Sequence, residues 1–285
     1  MTEVYAYLRG KKGELEERSR KQRLKQHIKD SIEALENEIK NTKIWKYYVK
    51  MSEYDEETVE KWIRFIITFH DIGKMFYQRN FRPYKDEVYL NFTGHEFIST
   101  FLADKFLGIW LERDIENRIS EYRDFRWIIC ASILYHHHAM GLKSRERLNE
   151  IKVCKDRNEF KEIVKNVYRI LQNYLEGFED NVILPFVDEL KNFKLMESDK
   201  YNTLILDQNV ISDIFRYVDE LNVKIWENFV DNESFRRQMI LTINILITAD
   251  YKGSEGRGEE KTKFGAILDE FLSLYRLITV KDKIT

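Results

Sequence analysis

Apolar residues recur along most of this chain at intervals of three and four, the spacing of one buried helix face. The clearest runs are Leu24, Ile28, Ile32, Leu35 and Ile39, then Val59, Trp62, Ile63 and Ile66. Two more follow, Ile98, Phe101, Leu102 and Phe106, and Phe235, Met239, Ile243, Leu246 and Ile247. They predict helices from Glu14 to Lys40, from Asp55 to Asp71, from His95 onward, and from Ser234 to Asp250. Trp127–Tyr135 reads as a buried helix after a charged surface crossing over Glu112–Arg126. Helical spacing continues through Lys143–Lys200 and over Asn209–Val230, where one or two helices are expected, with Pro185 breaking or starting one. A closing helix is expected over Phe264–Ile278. The connections are Met1–Gly13, read as a short leader, Met75–Phe92, read as a loop or lid, and the glycine-rich, charged loop Tyr251–Lys263. No stretch alternates strongly enough to demand a sheet, and only two prolines in 285 residues leave room for long helices. The expected class is all-α.

The chemistry gathers where these faces end. All six histidines, His27, His70, His95, His136, His137 and His138, fall on or beside an apolar stripe or at a helix end. His70 follows Ile66 by four residues and so continues a buried face, with Asp71 about 100° further round. His95 lies one turn before Ile98, Ile133 supports His136 and His137, and Asp250 follows Leu246 by four. A buried charge is costly unless paired or coordinated. A lone histidine on an apolar face is usually a hydrogen-bonded core residue, which suits His27 taken alone. The whole set suits divalent ions, because mixed imidazole and carboxylate ligands fit Mn²⁺, Fe²⁺, Co²⁺, Ni²⁺ or Zn²⁺, with Mg²⁺ on the carboxylate-rich side. Asp71 is placed to bridge while His70 binds one ion. Two ions about 3.5–4 Å apart would clamp an in-line displacement at phosphorus and lower the pKa of a bound water towards about 7. Lys74, four residues after His70, falls on the same helix side and is placed to neutralise a phosphate oxygen. The plain alternative is an exposed lysine after a helix end.

Charge adds one feature. The formal net charge of −2 excludes a uniformly basic coat. Between Arg9 and Lys29, however, nine basic residues face only Glu14, Glu16 and Glu17. Arg18, Lys21, Arg23 and Lys25 on a basic helix before His27 would guide a phosphate backbone, and a solvated helix face explains them equally well. Cys130 and Cys154 make neither a disulfide framework nor a zinc CxxC pair, which fits a reducing, cytoplasmic setting. Met1–Gly13 lacks the apolar core of a signal peptide, and the longest apolar runs are too short to span a bilayer, so no membrane partner is expected.

The ordered set His27, His70-Asp71, His95, His136-His137 and Asp250 resembles the HD superfamily of metal-dependent phosphohydrolases. The paired histidines after an apolar helix point within it to the stand-alone HD nucleases of type I CRISPR systems. The resemblance implies an HD-domain helical bundle with additional peripheral helices, one domain over 1–285. Its core would come from about 14–140 plus 234–278, with a helical insertion over about 143–230. It implies one ion on His27, His70, Asp71 and Asp250 and a second on Asp71, His95, His136 and His137. Asp71 would bridge them, Lys74 would be the active-site lysine, and His138 would be a neighbour. It further implies two divalent ions of the Mn²⁺, Mg²⁺, Ni²⁺ or Co²⁺ kind and cleavage of single-stranded DNA, in some members of RNA as well. A guide-RNA surveillance complex and a helicase would be partners; with no GxxxxGK[ST] phosphate loop in the chain, the helicase is expected in trans. Two other readings keep the metals. One is an HD-type phosphohydrolase of small nucleotides, and the other is a non-catalytic helical subunit with a structural ion.

Overall fold

A computed structural model describes residues 3–11, 20–113, 119–137, 148 and 151–255. Among these residues the chain is predominantly helical, as its apolar spacing predicts, with nine α-helices and two small sheets. The helix that positions the site is α3 (Glu56–Phe69), preceded by α1 (Leu24–Ala34) and α2 (Lys43–Ser52). Asp55 caps α3 by accepting the Thr58 backbone N–H at 2.8 Å, and Glu56 and Glu57 add negative charge to its first turn. From Phe65 to Phe69 every residue of α3 is buried, so this end is wrapped on all sides. Phe65 stacks on Phe69, and both rings meet Phe106 of α4 (His95–Arg113). Phe178 and Phe186 complete the cluster.

The bundle continues with α5 (Ile119–Tyr135), α6 (Arg157–Tyr174), α7 (Asp180–Lys191), α8 (Gln208–Asp231) and α9 (Glu233–Ser254). Helix α9 returns the chain to α1 and α2, where Tyr48 and Thr242 share a 2.7 Å hydroxyl hydrogen bond. Gly253 lets α9 approach α1 closely. A Cβ there would collide with the Ser31 hydroxyl and lie 2.9 Å from the Ser31 nitrogen and 3.0 Å from the His27 carbonyl. This contact brings the last helix, with Asp250, against the first.

Several local readings are corrected. The segments read as a leader and as the start of a helix instead form a hairpin, β1 (Tyr5–Lys11) and β2 (Arg20–Arg23), and α1 begins only at Leu24. Ala6 and Leu8 point inward while Tyr5, Tyr7 and Arg9 alternate outward, a period of two that the basic run obscured. Met75–Phe92 is no loop. A 3-10 turn, Ile72–Tyr77, is wholly buried and leads to the hairpin β3 (Phe81–Tyr84) and β4 (Glu87–Leu90). Its two-residue turn places Lys85 at φ 56°, without the Asn-Gly signal that marks such turns. The sheet order is β2-β1-β4-β3. The stretch from Lys143 to Lys200 and beyond contributes β5 (Lys152–Cys154), β6 (Leu195–Ser198) and β7 (Thr203–Leu206) in the order β5-β7-β6. Pro185 lies inside α7, Asn209–Val230 belongs to the single helix α8, and α9 runs on through Tyr251 to Ser254. Part of the Glu112–Arg126 crossing is already helix α5, with Phe125 buried. The rest of the glycine-rich loop, the closing helix Phe264–Ile278, Arg18 and His138 lie outside the described residues.

Gly253→Val should lower unfolding stability by about 1–3 kcal/mol, the ordinary cost of overpacking. Gly108→Ala on α4, where an added Cβ meets nothing within 4 Å, should instead raise it by about 0.5–1 kcal/mol. Urea denaturation of the two variants checks both signs.

Candidate metal centre

The end of α3 sets the geometry. Helix hydrogen bonding stops at Phe69, His70 is the C-cap, and Asp71 turns out of the helix at φ −110° and ψ 0°. The last-turn carbonyls of any helix lack intrahelical partners. Here the Ile66 carbonyl accepts the His70 backbone N–H at 2.9 Å, and the Ile67 carbonyl accepts the His70 ring Nδ1 at 2.6 Å. His136, just beyond α5, repeats the device with the Ile133 carbonyl at 2.6 Å, and His95 at the start of α4 does so with Phe92 at 2.7 Å. A carbonyl only accepts, so Nδ1 carries the proton in all three rings. Nε2 is therefore the nitrogen that each ring has left to offer a metal.

These nitrogens converge on the Asp71 carboxylate, which is fully buried. Its two oxygens face different ways. Oδ1 lies 2.9 Å from His95 Nε2. Oδ2 lies 3.2 Å from His27 Nε2, 3.6 Å from His70 Nε2 and 2.5 Å from Lys74 Nζ. Asp250 Oδ1 closes that second side, 3.0 Å from His27 Nε2 and 3.5 Å from His70 Nε2. Two ligand groups result, Asp71 with His95, His136 and His137, and Asp71 with His27, His70 and Asp250. Within each group the donor atoms all lie within 4.8 Å of one another. All seven residues singled out in the sequence thus come together.

Lys74 is corrected in its placement. The helix has ended before it, so its spacing from His70 places neither residue; the 3-10 turn instead sets Lys74 on Asp71, buried rather than exposed. Of the basic residues, Lys21, Arg23 and Lys25 are exposed, the first two on β2 rather than a helix, and Arg23 pairs with Glu3 at 2.5 Å.

Divalent ions fit this set on the structure's own evidence. Asp71 Oδ1, His95 Nε2 and His136 Nε2 are buried atoms without a hydrogen-bond partner. The 2.9 Å approach of the first two therefore lacks hydrogen-bond alignment, as expected of donors aimed at a common third atom. Burial would raise the Asp71 pKa, yet the neighbouring Lys74, His70, His27 and His95 hold it well below the usual carboxylate range. Asp250 is opposed by burial and lowered in the same way by His27 and His70. Burial, with His137, His70 and His95 nearby, pushes His136 well below 6.5, while burial and His95 push His137 down to about 3. His27 differs: burial lowers it, but hydrogen bonds to Asp250 and Asp71 prevail and raise it.

Two neighbours support the site. Gly73 leaves no room for a Cβ against the His95 carbonyl and Ser99, and its N–H donates to Ser99 Oγ at 2.8 Å, locking the turn against α4. Glu96 is buried with its Oε2 3.4 Å from His95 Nδ1. A glycine inside a turn was the available signal for the first, and adjacency to His95 for the second.

The family model described as HD domain matches residues 43–165. Over that span the chain is similar to the HD domain. The matched span includes His70, Asp71, His95, His136 and His137, whereas His27 and Asp250 join the site from outside it through the α1–α9 contact. A curated protein of Methanocaldococcus jannaschii, the CRISPR-associated endonuclease Cas3-HD, is 24% identical over 218 residues, covering 75% of this chain and 77% of the relative. No solved structure matches the chain. Among the described residues no helix is long and apolar enough to cross a membrane.

Elemental analysis should show that Asp71→Ala empties both groups, whereas His27→Ala loses mainly one ion. Proton competition separates the groups a second way. A proton competes for His27, whose pKa is raised, at higher pH than for His136 and His137, whose pKa values burial lowers. On equilibrium dialysis against Mn²⁺ from pH 8 to pH 6, the His27 group should therefore lose its ion first; simultaneous loss would contradict the assignment.

Proposed function

We propose that this protein is a divalent-metal-dependent nuclease that hydrolyses phosphodiester bonds of single-stranded DNA, and of RNA as well, in type I CRISPR defence. It would act in the cytoplasm beside a helicase supplied in trans and a guide-RNA surveillance complex. The observation that carries the chemistry is the split of Asp71, one oxygen toward His95 and the other toward His27 and His70. A carboxylate so divided is placed to be shared by two ions, and the relative named a CRISPR-associated endonuclease supports nucleic acid as the substrate.

In this reading His27, His70, Asp71 and Asp250 hold one ion, and Asp71, His95, His136 and His137 hold the other. Mn²⁺, Mg²⁺, Ni²⁺ and Co²⁺ all suit such donors. Ions bound there supply polarisation of a phosphoryl oxygen and a nucleophile at neutral pH. The chain's own contribution is preorganisation. Three backbone carbonyls hold the rings of His70, His95 and His136 with Nε2 inward, so little reorientation is needed when the phosphodiester arrives. Lys74 Nζ, 2.5 Å from Asp71 Oδ2, offsets the buried carboxylate and offers a fixed positive charge to a phosphate oxygen as negative charge develops. Asp250, 21% exposed, marks an open side of the HD centre.

Purified protein should degrade a single-stranded oligonucleotide with Mn²⁺ and stop on adding EDTA. Asp71→Ala should reduce the rate by more than about 100-fold, since even partners behind the ligands typically contribute 10–100-fold. If the wild type stays inert across Mn²⁺, Mg²⁺, Ni²⁺ and Co²⁺, the nuclease reading is wrong; phosphate release from nucleotides instead would assign a small-molecule phosphohydrolase.

A further inference from the structure

The four-stranded sheet carries a surface that the metal centre does not use. Its strands hold six cationic residues, Arg9, Lys11, Arg20, Lys21, Arg23 and Arg82, against one acid, Glu87, in a chain whose net charge is −2. The antiparallel register puts Arg20, Arg9, Tyr89 and Arg82 in one row across all four strands, on a common face. Three interstrand steps make that row about 14 Å long. The next row brings Lys11, Glu87 and Tyr84 together. Leu8 and Leu90 hold the opposite face in the core.

Glu87 does not neutralise this face. It lies 2.5 Å from Arg9 Nε and 3.9 Å from an Arg20 nitrogen, so one carboxylate serves two guanidiniums. Arg82 has no acidic partner among the described residues. Tyr84 is 50% exposed, and the Arg9 guanidinium sits 5.2 Å from the centre of its ring. Exposed lysines and arginines often only protect sheet edges from pairing. Here Arg9 and Tyr89 lie on the interior strands β1 and β4, where no edge needs protection.

The sheet is also tied to the metal centre from two sides. Gln22 of β2 donates to the Gly253 carbonyl at 2.6 Å, three residues beyond Asp250. Gln78 donates to the Lys74 carbonyl at 2.7 Å and accepts the Tyr5 backbone N–H at 2.9 Å. Arg23 ends β2 four residues before His27.

We infer that the outer face of the β2-β1-β4-β3 sheet is a binding platform for single-stranded nucleic acid. The arginine row takes phosphates, and Tyr84 and Tyr89 take bases. Cations alone would suit any polyanion. Aromatic rings interleaved with them favour a single strand, whose bases are free to stack, over a duplex, whose bases are not. The inference deepens the nuclease reading by naming how the strand is held, and it rests on that reading only for what happens to the strand afterwards.

The test is fluorescence anisotropy of a labelled oligodeoxythymidine with EDTA present, so that binding is read whether or not the metal centre cleaves. Tyr84→Ala should weaken binding roughly tenfold, within the range found for lost base–aromatic stacking, and Tyr84→Phe should bind as the wild type does. Arg82→Ala should weaken binding and reduce the log–log salt slope by about 0.7, one phosphate contact on a single strand, whereas Tyr84→Ala should leave the slope unchanged. The platform is refuted if the wild type does not bind, if both alanine variants bind like it, or if a duplex binds as tightly and is weakened equally. An inert metal centre with intact, tyrosine-dependent binding would refute the nuclease reading and leave the platform standing.

Discussion

Everything around the centre of this protein is arranged so that one fully buried carboxylate stays ionised. Desolvating such a group carries an effective penalty of several kcal/mol after relaxation. Asp71 meets it with Lys74 at 2.5 Å on one oxygen, His27 on the same side and His95 on the other. Few single partners would do. A lone lysine would saturate one oxygen and leave the other orphaned, whereas a ring of imidazoles around an ion or a pair of ions satisfies both. The requirement extends outward to the packing. Gly73 permits the turn that presents Asp71, and Gly253 permits the helix contact that brings Asp250 to His27.

The histidines show how secondary structure supplies ligand orientation. The carbonyls of Ile67 and Ile133, left over where α3 and α5 end, are occupied by the rings of His70 and His136. One hydrogen bond thus satisfies an orphaned backbone group and fixes a tautomer. In His136 the remaining nitrogen is buried without a hydrogen-bond partner, so it is poised for an ion rather than for a proton. Burial then keeps His136 and His137 neutral, while acidic neighbours pull His27 the other way. The two ligand groups therefore differ in proton affinity although they share Asp71.

The HD match and the relative from Methanocaldococcus jannaschii set the chemical class, but the division of labour in this chain is local. A hydrolytic centre of seven side chains sits at the ends of helices, where unpaired backbone groups are available. The basic residues ahead of His27 are gathered instead on a sheet, whose flat face can present arginines and tyrosines together. Gln22 and Gln78 couple the two, each bonding to a backbone carbonyl close to a residue of the centre. In the proposed function, holding a strand and hydrolysing it fall to different surfaces of one fold.

What could be read from the sequence followed from local periodicity. A histidine three or four residues from an isoleucine shares its helix face whatever the rest of the chain does, so His70, His95, His136 and Asp250 could be placed inward before any fold was known. The helical class was legible for the same reason. Tertiary structure decided the rest. The pairing of Arg9 with Tyr89 joins residues far apart in the chain, and no local pattern records such a register. A run of arginines and lysines reads equally well as a helix face or as strands, so β1 and β2 stayed hidden. Lys74 moved from one side of a helix to the Asp71 carboxylate because α3 stops at Phe69, and that stop is set by packing against α4. The residues that carry charge and lone pairs are written locally; which of their atoms meet depends on contacts between distant segments, because only those contacts exclude the water that would otherwise separate them.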